Sequence, residues 1–238
     1  MSWLVESVEN SGPLGGGSVG LATKPAPAKA RGGDNVTLRS WTDQELRILN
    51  AVRICFAKWG ISKTTVEDVA RQAGMSRATL YRIFPEGRDS IIESAIELET
   101  GKFFNSLCGI LEKATTLREL LANGLAGAWE LLENDEILAF LLAHEPEVVL
   151  RNLAFDRLEE LIAICREILA PYLSRWLDKF EADRLAEWAA RVVVSYAIAR
   201  PDWSSNATDT AQRLVGSIFA PHFQVIGYDI DEVQVRCG

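Results

Sequence analysis

The stretch TTVEDVARQAGMSRATLYRIF, Thr64 to Phe84, decides the fold. Val66, Val69, Ala70 and Ala73 recur at i, i+3, i+4 and i+7, a complete apolar stripe for a short helix. A capping box opens it: Thr64 with Glu67 or, nearly as well, Thr65 with Asp68. Gly74 ends it, because glycine permits the sharp backbone reversal that follows. Ser76 then caps another short helix that stops before Pro85. Two short helices joined by a tight Gly-containing turn make a helix-turn-helix, with Met75 as a plug between them.

On a wheel of about 100° per residue, Leu80 and Phe84 fall on one side of the second helix with Ile83 beside them, and these belong to the core. Ala78 and Arg82 fall opposite, flanked by Thr79 and Tyr81. Arg77 stands near the boundary at the helix N-terminus. The outward face is thus basic, hydroxylated and small where a groove floor would press close. Arginine pairs with guanine edges, threonine offers a hydroxyl and a methyl, and tyrosine donates to phosphate. The positive helix ends at Thr64, Thr65 and Ser76 add phosphate affinity. This chemistry suits double-stranded DNA. The plainer alternative is a helical hairpin whose basic face is merely solvated.

Working outward, Thr42 with Glu45 caps a preceding helix in which Leu49, Val52, Phe56 and Trp59 share a face and Gly60 supplies the stop. A longer helix is expected from about residue 88 to 113, with Gly101 as a weak point. Further helices follow at about 116–134, 135–144, 155–180 with a bend at Pro171, 183–199 and 208–219. The 224–235 tail offers the one stretch with strand-like alternation. The expected fold is all-α: a three-helix DNA-binding domain over 41–87 and a helical domain over 88–225 (ligand-binding and dimerisation, as the family resemblance below implies), with a tail at 226–238. Residues 1–40 are rich in Gly, Pro, Ala and Ser and read as a flexible basic arm ending in Arg39, suited to reaching phosphates or to solubilising the chain.

The net charge of −8 speaks against DNA until its distribution is read. Residues 24–90 hold twelve Lys/Arg against seven Asp/Glu, whereas residues 91–238 hold thirteen against twenty-four. A basic end on an acidic body fits one face made for phosphates.

The run Thr64–Ala70, then Ala73-Gly74-Met75-Ser76, then Thr79–Phe84, resembles the tetracycline-repressor (TetR) family, and Ile48, Ala51, Phe56 and Gly60 of the first helix fit it too. The specific match spans about residues 46–92. The resemblance implies a homodimer on a pseudo-palindromic operator, often a repressor, released by a ligand held in the C-terminal domain. It assigns phosphate contact to Thr65, Tyr81 and the basic residue opening helix four, and base contact to Arg77, Ala78, Thr79 and Arg82. Many members carry lysine shortly after the residue matching Phe84; here Pro85-Glu86-Gly87-Arg88 follows, and Arg88 is the nearest substitute.

The same resemblance places a ligand cavity among the middle helices, with Trp129, Phe140, His144, Cys165, Trp188 and Tyr196 as candidate lining and Glu145 as a further polar member. Simple core packing is the competing reading for each. The aromatic and aliphatic composition suits a small hydrophobic effector. In the resemblance the dimer forms as a four-helix bundle, which here points to residues 156–176 and 183–199.

Several classes are unexpected. Four scattered cysteines and two histidines form no metal-ligand spacing, and three of the cysteines lie in apolar-periodic stretches, as in a reducing cytoplasm. No Gly-rich phosphate loop, nucleophile elbow or paired-carboxylate motif points to an enzyme or a cofactor. No apolar run approaches the ~20 residues of a membrane helix, and no secretion signal opens the chain. A helix-turn-helix protein without a small-molecule pocket, constitutive or governed by a protein partner, stays open as the alternative.

Overall fold

The computed structural model describes residues 39–147, 158–198, 206–225 and 227–231, and every regular element among them is helical. The order is α1 (Asp43–Trp59), α2 (Val66–Ala73), α3 (Arg77–Ile83), α4 (Arg88–Leu111), α5 (Leu117–Glu133), α6 (Glu136–His144), α7 (Leu158–Leu173), α8 (Lys179–Ile198) and α9 (Ala207–Leu214). A π-turn over Val215–Phe219 joins α9 to α10 (Ala220–Val225). Of the N-terminal arm expected from the sequence only Arg39 and Ser40 lie within the described residues, and of the C-terminal tail Gly227 to Asp231. No described helix is long and apolar enough to cross a membrane.

Local chemistry explains most boundaries. Thr42 and Glu45 cap each other reciprocally at the head of α1. The box that opens α2 uses Thr65 and Asp68. Thr64 is instead buried, and its hydroxyl donates to the Gly60 carbonyl at 2.6 Å, so it neither caps α2 nor faces outward. Asp178 accepts from the Glu181 amide at 3.0 Å. That cap starts α8 at Lys179, four residues before the periodicity suggests, and α7 ends correspondingly early, two residues past Pro171. The last helical stretch runs on to Val225 through the π-turn. Pro221 follows that turn; its ring has no N–H and presses on the carbonyl one turn back, so a widened turn relieves it. Residues 227–231 form turns rather than a strand: Ile230 is buried, its carbonyl accepts from Arg118 N at 2.9 Å, and Asp231 takes the Arg118 guanidinium through both oxygens.

Two apolar clusters make the core. One gathers Leu49, Val52 and Phe56 of α1, Val69 and Ala73 of α2, Leu80 of α3 and Ile91, Ile92 and Ala95 of α4. Leu141 of α6 belongs to it as well. The other packs Phe104, Leu107 and Leu111 of α4 around α5, α8, α9 and α10, with Trp129, Trp176 and Phe223 as its largest members. Helix α4 is therefore one continuous rod serving both clusters, unbroken at Gly101, which is buried.

Gly60 shows how tightly the clusters meet. Its φ of 82° and ψ of 175° lie where glycine alone sits comfortably, and a Cβ there would collide with the Glu145 carboxylate. Gly60→Ala is expected to destabilise the protein by about 1–3 kcal/mol, read as a lower urea midpoint with unchanged slope. An unchanged midpoint would show that the loop relaxes freely.

Candidate functional site

The outward side of α2 and α3 is assembled by caps and a glycine. Gly74 takes left-handed angles, φ 63° and ψ 38°, and its amide and that of Met75 bond back to α2 carbonyls. The chain thus reverses within two residues, and Ser76 accepts from the Thr79 amide at 3.1 Å to start α3. Leu80, with no exposed surface, and Phe84, at 3 %, anchor α3 from beneath. Thr65, Arg77, Ala78, Tyr81 and Arg82 are exposed, and Thr79 is half-exposed. The side expected to face a duplex is open to solvent.

Its charges are only partly engaged. Arg77 reaches back to Glu67 at 2.7 Å, tying α3 to the first turn of α2. Arg82 has no ion-pair partner among the described residues. Arg39 pairs with Glu45 at 3.0 Å and lies over the Trp41 ring at 4.3 Å, folded against the head of α1. The Asp68 carboxyl is held below the usual range by the Thr65 hydroxyl bond, opposed by partial desolvation and assisted by the Thr65 amide and Arg71, so the α2 cap stays ionised at neutral pH. Tyr81 packs over the Gly87 backbone, which fixes where its hydroxyl is presented.

Behind this face the loop Gly60–Thr64 is clamped from two helices. Arg88, the first residue of α4, donates to the Ile61 carbonyl at 2.6 Å and the Thr64 carbonyl at 2.9 Å. Glu145, just past α6 and buried, accepts from the amides of Ile61 at 3.2 Å and Ser62 at 3.5 Å. Arg88 thus spends its Nε and Nη2 donors inward, as a brace, and its Nη1 lies 3.5 Å from Asp89, where the sequence suggested an outward phosphate contact. Glu145 likewise holds this loop, away from the lining of the larger apolar cavity.

An apolar cavity of about 280 Å³ lies between the clusters. Helices α4 to α8 wall it, together with Arg53 and Phe56 of α1 and Ile61 of the clamped loop. Its side toward α1 carries Arg53, Glu99, Thr100 and Asp135, while Cys165 and Tyr172 are the polar groups on α7. Asp135 is committed to capping α6, and Glu99 pairs with Lys102 at 2.8 Å. Burial pushes the Cys165 thiol up to about 12. Tyr172 is raised too, by burial first and by the Cys108 thiol against its hydroxyl second. Both are therefore neutral at physiological pH.

Of the six lining candidates, the cavity takes in Cys165. Trp129 stacks on Tyr196 at 4.7 Å, and both border a smaller cavity of about 160 Å³. Trp188 packs edge-on against Phe219, and Phe140 stacks on exposed His144 at the outside of α6. Sequence reasoning missed Tyr172, although it lies seven residues from Cys165 and so on the same helix face. It also missed the wall from α1, for which sequence carries no signal because the contact is long-range.

Residues 48–95 match the bacterial regulatory proteins of the tetR family. Over 50 residues the chain is 42 % identical to uncharacterised HTH-type transcriptional regulators of Mycobacterium tuberculosis and Mycobacterium bovis, a match covering 21 % of this chain and 26 % of theirs. The chain thus spans about a quarter of the length of the curated relatives it matches. Among solved structures, the TetR family repressor AlkX from Dietzia sp., implicated in biodegradation of n-alkanes, superposes with a TM-score of 0.57 at 24 % identity, over 78 % of this chain and 97 % of that one. The fatty acid degradation regulator FadR from Bacillus halodurans does so with a TM-score of 0.50 at 19 % identity, over 76 % and 98 %. At these identities the likeness shows the fold.

The cap assignment can be checked directly. Thr65→Ala is expected to cost about 1 kcal/mol in chemical denaturation, because the Asp68 amide loses its acceptor. Equal stability of variant and parent would mean that Asp68 alone suffices.

Proposed function

We propose that this chain, a DNA-binding transcriptional regulator of the TetR family, works as a homodimeric repressor that leaves its operator when a small hydrophobic molecule fills the cavity between its two clusters. The observation that carries the reading is the apolar cavity itself, which shares walls with the DNA-binding unit and the body. A molecule in such a place touches both parts at once. It can therefore favour one relative arrangement over the other, and a coupling of about 1–3 kcal/mol suffices for regulation.

On the DNA side, α3 lies in the major groove with Arg77, Ala78, Thr79 and Arg82 toward base edges, while Thr65 and Tyr81 hold phosphates. With the Arg88 guanidinium turned inward, its phosphate contact is proposed to run through the N-terminal end of α4. The Arg77–Glu67 pair opens on docking, at small cost because both partners are already half in water. Arg82→Ala is expected to change base preference at one position of each half-site, whereas Tyr81→Phe weakens all sequences alike. Binding measured across a randomised duplex library checks this, and identical effects of the two changes would refute the role assignment.

The dimer surface follows from what one protomer leaves uncovered. Phe180 on α8, Ile218 in the π-turn and Val225 at the end of α10 are exposed. Helix α7, by contrast, turns Leu161, Cys165, Leu169 and Leu173 into the cavity. The proposed interface takes in α8 with α9–α10 beside the α7–α8 pair expected from the sequence, whose Ile164, Ile168, Trp188 and Val192 stay half-exposed, and its two-fold axis sets the spacing of two reading helices. Ile218→Glu with Val225→Glu is expected to give monomers in sedimentation at micromolar concentration with the helical content retained; a persisting dimer would move the interface elsewhere.

The effector is apolar, with Cys165 and Tyr172 as neutral polar contacts. Chain-like hydrocarbons and fatty acids are the first compounds to test, since one structural neighbour is implicated in biodegradation of n-alkanes and the other is a fatty acid degradation regulator. A compound that raises the melting temperature and lowers DNA affinity supports the sensor; a broad apolar library that does neither contradicts it.

A further inference from the structure

The cavity is long for its volume. Its wall on α4 runs from Ala95 to Leu111, about 24 Å at roughly 1.5 Å rise per residue. Its volume is nonetheless about 280 Å³, at the lower edge of small-molecule sites. Such a space has room for one extended chain. Its two ends also differ in ownership. Leu120, Leu121, Tyr172 and Leu173 close it within the body, whereas Phe56 and Ile61 of the DNA-binding unit help close the other end.

That second end is where the loop is clamped. Ile61 lends its side chain to the cavity wall while its amide is held by Glu145 and its carbonyl by Arg88. Glu145 follows directly on α6, whose Ile137, Leu138 and Leu141 line the same end. One residue therefore has the cavity on its side chain and both clamps on its peptide groups. Pressure on that side chain acts on hydrogen bonds at or near the upper limit of normal length, 3.2 Å and 3.5 Å to Glu145. The bond to Arg88 is shorter, 2.6 Å.

Building on the sensor reading above, we propose that the cavity measures chain length. An unbranched aliphatic molecule frees the loop only when it is long enough to press on Ile61 and Phe56, parting the Ile61 and Ser62 amides from Glu145 and releasing α2 and α3 from their fixed tilt. A shorter chain binds in the body end and leaves the reading face in place. Affinity and response are thereby separate properties of the same ligand.

The test uses the full chain with straight-chain saturated fatty acids from hexanoic to octadecanoic acid. Binding is followed by isothermal titration, and the clamp by hydrogen exchange at the amides of Ile61 and Ser62. The expected result is a threshold: short acids bind with exchange unchanged, and acids beyond the threshold speed it about tenfold or more, in the range of ordinary allosteric couplings. Ile61→Val, which removes one methylene from the end wall, is expected to move the threshold to longer acids while short-chain affinity stays the same. If every acid that binds speeds exchange equally, the gauge is refuted and the sensor stands. Binding of branched or ring compounds in place of any straight chain has the same consequence. If no apolar compound binds at all, both readings fail.

Discussion

The angle at which α2 and α3 meet the rest of the molecule depends on five residues of backbone, Gly60 to Thr64. Hydrogen bonds hold this loop from three directions: Thr64 closes it on itself, Arg88 braces it from α4, and Glu145 braces it from α6. Gly60 makes the arrangement possible, because no side chain intervenes between the loop and the carboxylate. A buried carboxylate is costly unless its oxygens are met by donors, so the Glu145 contact is kept only while the loop stays put. The position of the reading face is accordingly a property of the whole fold and not of the helix-turn-helix alone.

Helix α4 turns that local constraint into a global one. Its first half is core to the DNA-binding unit and its second half is core to the body. Any rigid displacement at one end is felt at the other, since packed interiors repack between discrete arrangements more readily than they deform. The cavity sits alongside this rod, largely apolar, with Cys165 and Tyr172 both raised by burial. Filling it with apolar matter gains contact energy for the walls without requiring that any charge be moved.

Local features of the molecule were legible in the sequence, and long-range ones were not. Capping boxes, the Gly74 turn and the i, i+3, i+4, i+7 stripe act over a few residues, so Thr42, Ser76, Leu80 and Phe84 could be placed without coordinates. The ambiguity between Thr64 and Thr65 arose because both satisfy the same local pattern; it is settled by burial, which is tertiary. The long helices were found, yet their ends shifted where a single cap decided them, as Asp178 does for α8. The cavity's lining was read poorly because aromatic residues at helical spacing pack equally well against core or void. Trp129 found Tyr196 and Trp188 found Phe219, while smaller residues such as Ala189, Ala190 and Val193 of α8 border the space. The inward turn of Arg88 and the reach of Glu145 to Ile61 cross 27 and 84 positions of chain, beyond any periodicity.

Selection of random genomic fragments by the purified protein, repeated at rising salt, tests the central claim most directly: that the face built on Ser76 to Phe84 reads a duplex. Recovered fragments should share an inverted repeat whose half-sites lie about one helical turn apart or a multiple of it, and the repeat should persist as salt strips weaker fragments away. Fragments with no common sequence, lost together as salt rises, would mean that the exposed basic side is only a solvated surface.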